Sequence, residues 1–317
     1  MNYLVMGAGA LGSVFGGLLA EQGHEVTFVG LDEHLMAIQQ KGLLIRGIWG
    51  DHVVPKVPVF YGTEGLRGTF DVVLLSVKSY HTEGVIRQTL PFMHEDTLVF
   101  SIQNGLGNWE TIAKAVGWNR TVGARIIFGA EIDEPGTARV TVYADKVLIG
   151  SPTGDVPTDR IRQVCEDFCG SGIPTEVSGR IESFLWGKVL YNCSLNALGA
   201  IMNVPYGRLG EVTEVRAVMR RIIDEIFLVA QAKGVSMVYS GPEDYWRVLL
   251  EKQLPPTAAH RSSMLQDMER GRLTEIDSLN GAVARYGREL SLDTPVNETI
   301  TAIIKGIESK RQGPPGS

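Results

Sequence analysis

Over the first 180 residues, short apolar runs of strand length alternate with segments of helical spacing. Residues 2–6 have the length of a buried strand. The run Gly7-Ala8-Gly9-Ala10-Leu11-Gly12 follows at once. Residues 13–22 are spaced as a helix, with Val14, Leu18 and Leu19 on the apolar side and Gly23 as the stop. Residues 25–29 form the next strand. Further strand-like runs cover 71–77, 97–101, 122–128, 140–143, 147–149 and 173–177, with helices over 82–90, closed by Pro91, and 159–170. The 71–77 run is apolar almost throughout, as a strand covered on both faces requires. This alternation predicts an α/β doubly wound sheet. Beyond Arg180 the pattern becomes helical over 182–202, 212–233, 242–253, 265–270, 275–289 and 297–309. The chain is therefore expected to divide into an α/β domain over 1–178 and an all-α domain over 179–312, with 313–317 a disordered tail.

Composition narrows the function classes. With 317 residues, the chain is long enough for two domains, and its 44% hydrophobic content excludes a wholly disordered protein. A net charge of −6 argues against a general nucleic-acid binder. No apolar run reaches the roughly 18 residues of a membrane span. Cys165, Cys169 and Cys193 are too few and odd in number for a disulfide framework, which fits a cytoplasmic protein, and the first two are expected in a helix core. The scattered histidines show no metal-ligand spacing, so no metal is expected.

The glycine run carries the first chemistry. It lies between a strand and a helix, with another strand completing the unit within about 30 residues. In that context Gly7 permits the tight turn, Gly9 lets a pyrophosphate reach the backbone, and Gly12 lets helix and strand approach. The N–H groups that open the helix then face the phosphates. Asp32 lies at the end of the second strand, where an acidic residue can bond the ribose 2′-OH of NAD; it can equally cap the helix starting near His34. Lys78 and Asn104 each follow a strand at its carboxyl end, where ligands of such sheets lie.

The second chemistry is on the 182–202 helix. Lys188, Asn192 and Asn196 are spaced i, i+4, i+8, so they share one face over about 12 Å of axis. Their neighbours Trp186, Val189, Leu190, Leu195 and Leu198 are apolar. The three are either a solvated stripe or buried groups that require a polar partner such as a ligand. Ser262 and Ser263, ahead of another helix, either cap it or donate to a carboxylate. Glu275 is a candidate partner for Lys188.

Taken together, Gly7–Gly12, Val77-Lys78, Asn104-Gly105, the run from Lys188 through Asn192 and Asn196, and Ser262–Asp267 with Thr274–Asp277 resemble the ketopantoate reductase (2-dehydropantoate 2-reductase) family. The resemblance covers residues 1 to about 308. It implies an N-terminal Rossmann domain, a helical C-terminal domain and a substrate cleft between them. It implies reduction of the 2-oxo acid 2-dehydropantoate to pantoate by NADPH, in pantothenate biosynthesis. Carried onto matching positions, Lys188 is the proton donor and Glu275 lies near it and the nicotinamide ribose. Asn104, Asn192, Asn196 and Ser263 hold substrate. Gly7, Ala8, Gly9, Ala10, Leu11, Gly12, Lys78, Asn104 and the Ala130 backbone hold the cofactor. Two positions depart from the family. Leu31 followed by Asp32 stands where an arginine is frequent, which opens the door to NADH. Tyr206 stands where a member has a substrate-contacting asparagine. A homodimer is compatible with the helical half.

Overall fold

The computed structural model describes residues 1–311, and the expected tail at 313–317 lies outside them. Two compact units are present. The first comprises Met1–Gln103 and Asn108–Ile181; the second comprises Asn104–Gly107 and the residues from Glu182 onward.

The first unit holds twelve strands: β1 (Asn2–Met6), β2 (Glu25–Gly30), β3 (Leu43–Gly47), β4 (His52–Val54), β5 (Val59–Tyr61), β6 (Phe70–Leu75), β7 (Met93–Ser101), β8 (Thr121–Arg125), β9 (Phe128–Glu134), β10 (Thr137–Tyr143), β11 (Val147–Gly150) and β12 (Thr175–Val177). Its helices are α1 (Ala10–Glu21), α2 (Glu33–Lys41), α3 (Thr82–Thr89), α4 (Asn108–Val116) and α5 (Thr158–Gly170). Eight strands form one sheet in the order β12-β11-β8-β7-β6-β1-β2-β5. All neighbours are parallel except β8 and β11.

Residues of β1 alternate between two cores. Tyr3 and Val5 join the cluster containing Phe15 of α1 and Phe168 of α5; Leu4 and Met6 join the cluster containing Ile86 of α3 and Ile112 of α4. Helices thus cover both faces, which is why β1 and β6 carry apolar residues at consecutive positions.

One expectation needs correcting. The 140–143 run does not extend this sheet. It belongs to a second, four-stranded sheet in the order β4-β3-β10-β9, and the 122–128 run is split between β8 of the first sheet and β9 of the second. Helix α1 lies between the two sheets. A Cβ on Gly16 would come 2.6 Å from the Phe28 ring, and one on Gly17 would come 2.7 Å from the Ile45 side chain. Two adjacent glycines, outside the Gly7–Gly12 run, therefore let one helix touch a sheet on each side. Cys165 is buried, as expected, but Cys169, one turn on, is exposed.

The second unit contains α6 (Ile181–Met202), most of whose residues are buried, α7 (Tyr206–Glu211), α8 (Thr213–Ala232), α9 (Pro242–Val248), α10 (Ser263–Glu269), α11 (Asn280–Glu289) and α12 (Pro295–Arg311). The 242–253 helix continues past α9 as a π-helical turn over Leu249–Gln253. A buried polar network ties four helices together. Glu225 of α8 accepts from the backbone N–H groups of Val296 and Asn297 at 2.8 and 2.9 Å, satisfying donors that open α12. Asn297 Oδ1 accepts from Asn280 of α11, whose amide also donates to the Cys193 carbonyl of α6.

Residues 104–107 belong to this unit because their backbone is anchored there. The Leu106 N–H donates to the Ser278 carbonyl at 2.7 Å. Gly105 has φ +84°, and a Cβ there would lie 2.3 Å from the same oxygen. Only glycine accommodates that close approach.

No helix among the described residues is long and apolar enough to cross a membrane.

Candidate active site

In the first unit the glycine turn has the geometry that an anion needs. Gly7 has φ +99°, and a Cβ on it would meet the Val77 backbone nitrogen at 2.8 Å, so the turn backs directly onto the residue before Lys78. Both lie at the carboxyl ends of paired parallel strands, with Met6 opposite Leu75. A Cβ on Gly12 would stand 2.1 Å from the Gly7 carbonyl oxygen; one on Gly9 would meet nothing within 4 Å. Gly9 is the N-cap of α1, no side chain caps the helix, and its first turn holds no acid. The space beside Gly9 at this end is thus open, with the positive end of the helix dipole behind it. A dinucleotide pyrophosphate fits this arrangement. Half-buried Lys78 and Ala130, the latter on the outer strand of the four-stranded sheet, are in the same unit.

Asp32 is the N-cap of α2, its carboxylate accepting from the Leu35 N–H at 3.0 Å, so the capping reading describes the geometry seen. Leu31 beside it is 84% exposed.

A buried chain supports the turn. The Gly136 N–H donates to His34 Nδ1 at 3.0 Å, which places the neutral ring's proton on Nε2. Nε2 lies 3.0 Å from Ser13 Oγ, and that hydroxyl donates to the Ala8 carbonyl at 3.2 Å. Burial lowers the His34 pKa, outweighing the opposing charge of Asp32. Because the folded state resists protonation, His34 leaves stability intact above its unfolded pKa of about 6.5 and subtracts from it as pH falls below that value. Denaturation midpoints measured between pH 7 and 5 are expected to fall for the parent. A His34→Gln variant should lack that site's share, which is at most about 1.4 kcal/mol per pH unit. Identical slopes would contradict the assignment.

In the second unit, Lys188 Nζ donates to Asn104 Oδ1 at 2.6 Å. Lys188 is half-buried on α6. Asn192 and Asn196, one and two turns on, are only 8% and 5% exposed, so the solvated stripe is excluded. Among the described residues the Asn192 side chain and the Asn196 amide nitrogen have no hydrogen-bond partner. Neither amide is among the fully buried polar atoms that lack a partner, so both reach accessible space on one helical face, where a polar ligand can meet them.

The capping alternative describes Ser262. Ser262 is buried, caps α10 by accepting from the Leu265 N–H, and donates to the Asn196 carbonyl at 3.1 Å. Ser263 is exposed and lines a small cavity with Asn104, Asn196, Met264, Asp267, Glu275 and Leu279. Glu275 is buried, and its carbonyl accepts from Ser278, the residue that anchors the Asn104 loop. The structure therefore gathers Asn104, Asn196, Ser263 and Glu275 around one cavity, with Lys188 bonded to Asn104. Asp267 is a buried lining carboxylate that the sequence reading left without a role; its i+4 spacing from Ser263 on α10 was the available signal.

This set of residues prompts comparison with known proteins. The family description "Ketopantoate reductase PanE/ApbA" matches residues 3–154, and its C-terminal counterpart matches 180–308. A 2-dehydropantoate 2-reductase from Aquifex aeolicus is 37% identical over 308 residues, covering 97% of both chains. The chain belongs to the ketopantoate reductase family. A Pyrococcus horikoshii 2-dehydropantoate 2-reductase is 32% identical over 98% of each chain. Among solved structures, a family ketopantoate reductase from Ralstonia eutropha superposes with a TM-score of 0.88 at 33% identity, covering 98% of this chain and 100% of its own. A D-mandelate dehydrogenase in complex with NADH and anilino(oxo)acetate superposes equally well, TM-score 0.88, at 26% identity and the same coverage. As a family member the chain is an oxidoreductase with a mixed, mainly parallel sheet in its N-terminal part and a helical C-terminal part. The similar solved structures thus carry both names, ketopantoate reductase and D-mandelate dehydrogenase.

Proposed function

We propose that the chain reduces 2-dehydropantoate to pantoate with NADPH, in pantothenate biosynthesis, with Lys188 as proton donor. The observation that carries this reading is the Lys188–Asn104 hydrogen bond, set on the same helical face as two buried carboxamides that lack ligand-side partners. The names of the Aquifex and Pyrococcus relatives support the substrate.

When bound, the reduced nicotinamide supplies the hydride that reaches the ketone carbon. Gly7–Gly12 would hold its phosphates through backbone N–H groups, with Lys78 and Ala130 of the same unit as further contacts; family likeness would add Asn104 and Glu275 as cofactor contacts. Lys188 holds a proton on Nζ, where it donates to Asn104 Oδ1. As negative charge builds on the ketone oxygen, Lys188 stabilises it and transfers that proton, giving the hydroxyl of the product. Asn104 keeps the ammonium group in place. Asn192 and Asn196 bond the polar groups of the substrate without adding a charge, and Ser263 serves its carboxylate. Glu275 supplies a negative charge to the lysine's surroundings.

A second reading has its own support. Asp32 follows the second strand, where an acidic residue suits the ribose 2′-OH of NADH better than a 2′-phosphate, and the mandelate dehydrogenase neighbour is named in complex with NADH. Oxidation of NADPH and of NADH with ketopantoate, phenylglyoxylate and other 2-oxo acids separates the two. The highest kcat/KM is expected for ketopantoate with NADPH. Preference for phenylglyoxylate with NADH would replace that assignment with the second.

A further inference from the structure

The tyrosine that departs from the family pattern is built into the site from behind. Helix α6 ends at Met202, and Asn203, with φ +54°, turns the chain in the left-handed region. Asparagine tolerates that conformation better than most residues and commonly ends helices in this way. The Val204 N–H bonds back to the Gly199 carbonyl, and Pro205 opens α7. Tyr206 is thereby folded back onto α6, ten residues after Asn196. Its ring is 2% exposed and packs edge-on against Tyr191 and at a tilt against His260, and its backbone N–H donates to the His260 carbonyl at 3.0 Å. Tyr206 is absent from the lining of the cavity, whereas Asn196 is part of it. The tyrosine O–H donates to Asn196 Oδ1.

We propose that Tyr206 sets the hydrogen-bond polarity of this subsite: by taking Asn196 Oδ1 it turns the carboxamide NH₂ into the cavity, so that the subsite selects an acceptor oxygen of a 2-oxo or 2-hydroxy acid. This rests on the reading of the cavity as a 2-oxo acid site. A carboxamide has a donor end and an acceptor end, and a flip exchanges them. In the flipped state the hydroxyl proton of Tyr206 would be left in a buried place without its acceptor, which disfavours the flip. Burial also pushes the tyrosine pKa well above its ordinary value, so the group keeps its proton and remains a donor. Asn196 is 95% buried by the same measure that leaves it 5% exposed, and its Nδ2 has no partner among the described residues, so a donor awaits the ligand. Tyr206 is thus a positioning residue, acting on the ligand through Asn196.

The test is a double-mutant cycle of Tyr206→Phe and Asn196→Ala. It is read as KM and kcat with the preferred 2-oxo acid, calorimetric binding of the matching 2-hydroxy acid, and thermal midpoint. Tyr206→Phe is expected to raise KM and weaken hydroxy-acid binding by roughly five- to thirtyfold, the value of one polar contact, and to raise KM by a larger factor than it lowers kcat. In the Asn196→Ala background it should add nothing. An equal penalty in both backgrounds, or none in either, overturns the proposal. Asn196→Asp, made with Tyr206 intact, covers the case in which the phenylalanine variant fails to fold. It places an acceptor where a donor is required and should bind the hydroxy acid more weakly than Asn196→Ala does; parental binding by Asn196→Asp overturns the proposal. A parent enzyme that neither turns over nor binds any 2-oxo acid overturns the site reading itself, and the polarity assignment with it.

Discussion

Lys188→Ala is expected to lower kcat for 2-oxo acid reduction by about 10²–10⁴, the usual contribution of a positioned general acid, while dinucleotide binding persists. The side chain donates at 2.6 Å to Asn104, one of the residues lining the cavity. In the proposed mechanism its removal takes away both the charge that meets the developing alkoxide and the proton that completes the product. The glycine turn proposed to receive the phosphates is in the other unit, on different elements. Lys188→Arg sharpens the test. Arginine retains the charge but holds its proton more tightly than lysine and is a poor donor, so its kcat should fall between those of alanine and lysine. Steady-state kcat with saturating ketopantoate, together with nicotinamide fluorescence to follow binding, measures both quantities. A kcat for Lys188→Ala close to the parent value would remove Lys188 from the reaction.

Gly12→Ala and Gly9→Ala should both impair dinucleotide binding, but for different reasons. At Gly12 the new methyl would lie 2.1 Å from the Gly7 carbonyl oxygen and 2.8 Å from Ser76 Oγ. The serine can rotate, but the carbonyl is backbone, so the turn must open. Overpacking of this kind costs about 1–3 kcal/mol. Where the free protein relaxes, the strain returns when the bound geometry is restored, so affinity falls by about 5- to 150-fold and the thermal midpoint drops. At Gly9 the methyl meets nothing, and φ is −72°, so folding tolerates it. The methyl then occupies the space meant for phosphate, and affinity falls with the midpoint unchanged. Fluorescence titration and thermal denaturation of both variants distinguish the two effects. Parental affinity in Gly9→Ala would show that the phosphates do not sit over that residue.

The parts of the site that were legible in the sequence are those whose signal is local. A glycine turn between a strand and a helix announces itself because backbone φ and close approach constrain residue type at each position. Likewise, three polar residues at i, i+4 and i+8 among apolar neighbours define one helical face, whatever packs against it. The same spacing could not say whether Asn192 and Asn196 met water or protein, since a solvated stripe shows an identical pattern. Burial at 8% and 5% decided that. Asp32 carried two readings of equal local merit, and the Leu35 N–H showed which contact it makes in the fold. The four-stranded sheet has a weak local signal because β3, β4 and β9 are short or half-exposed, and the 122–128 run passes from one sheet to the other with no glycine or proline between Arg125 and Phe128 to mark the change.

By itself, the chain's order of residues determined the architecture in outline: strands covered on both faces, a phosphate-ready turn, a helical second half, and a lysine in line with two asparagines. Periodicity and glycine stereochemistry act over a few residues, so they survive in one dimension. Only the tertiary structure decided that Asn104 is anchored on Ser278 and reaches Lys188, that Glu275 and Asp267 border the same cavity as Asn196, and that Tyr206 holds Asn196 from behind. Those pairs are separated by 10 to 174 residues along the chain. They meet because packing and the pairing of buried donors with acceptors bring them together, and no spacing rule encodes a meeting of that kind.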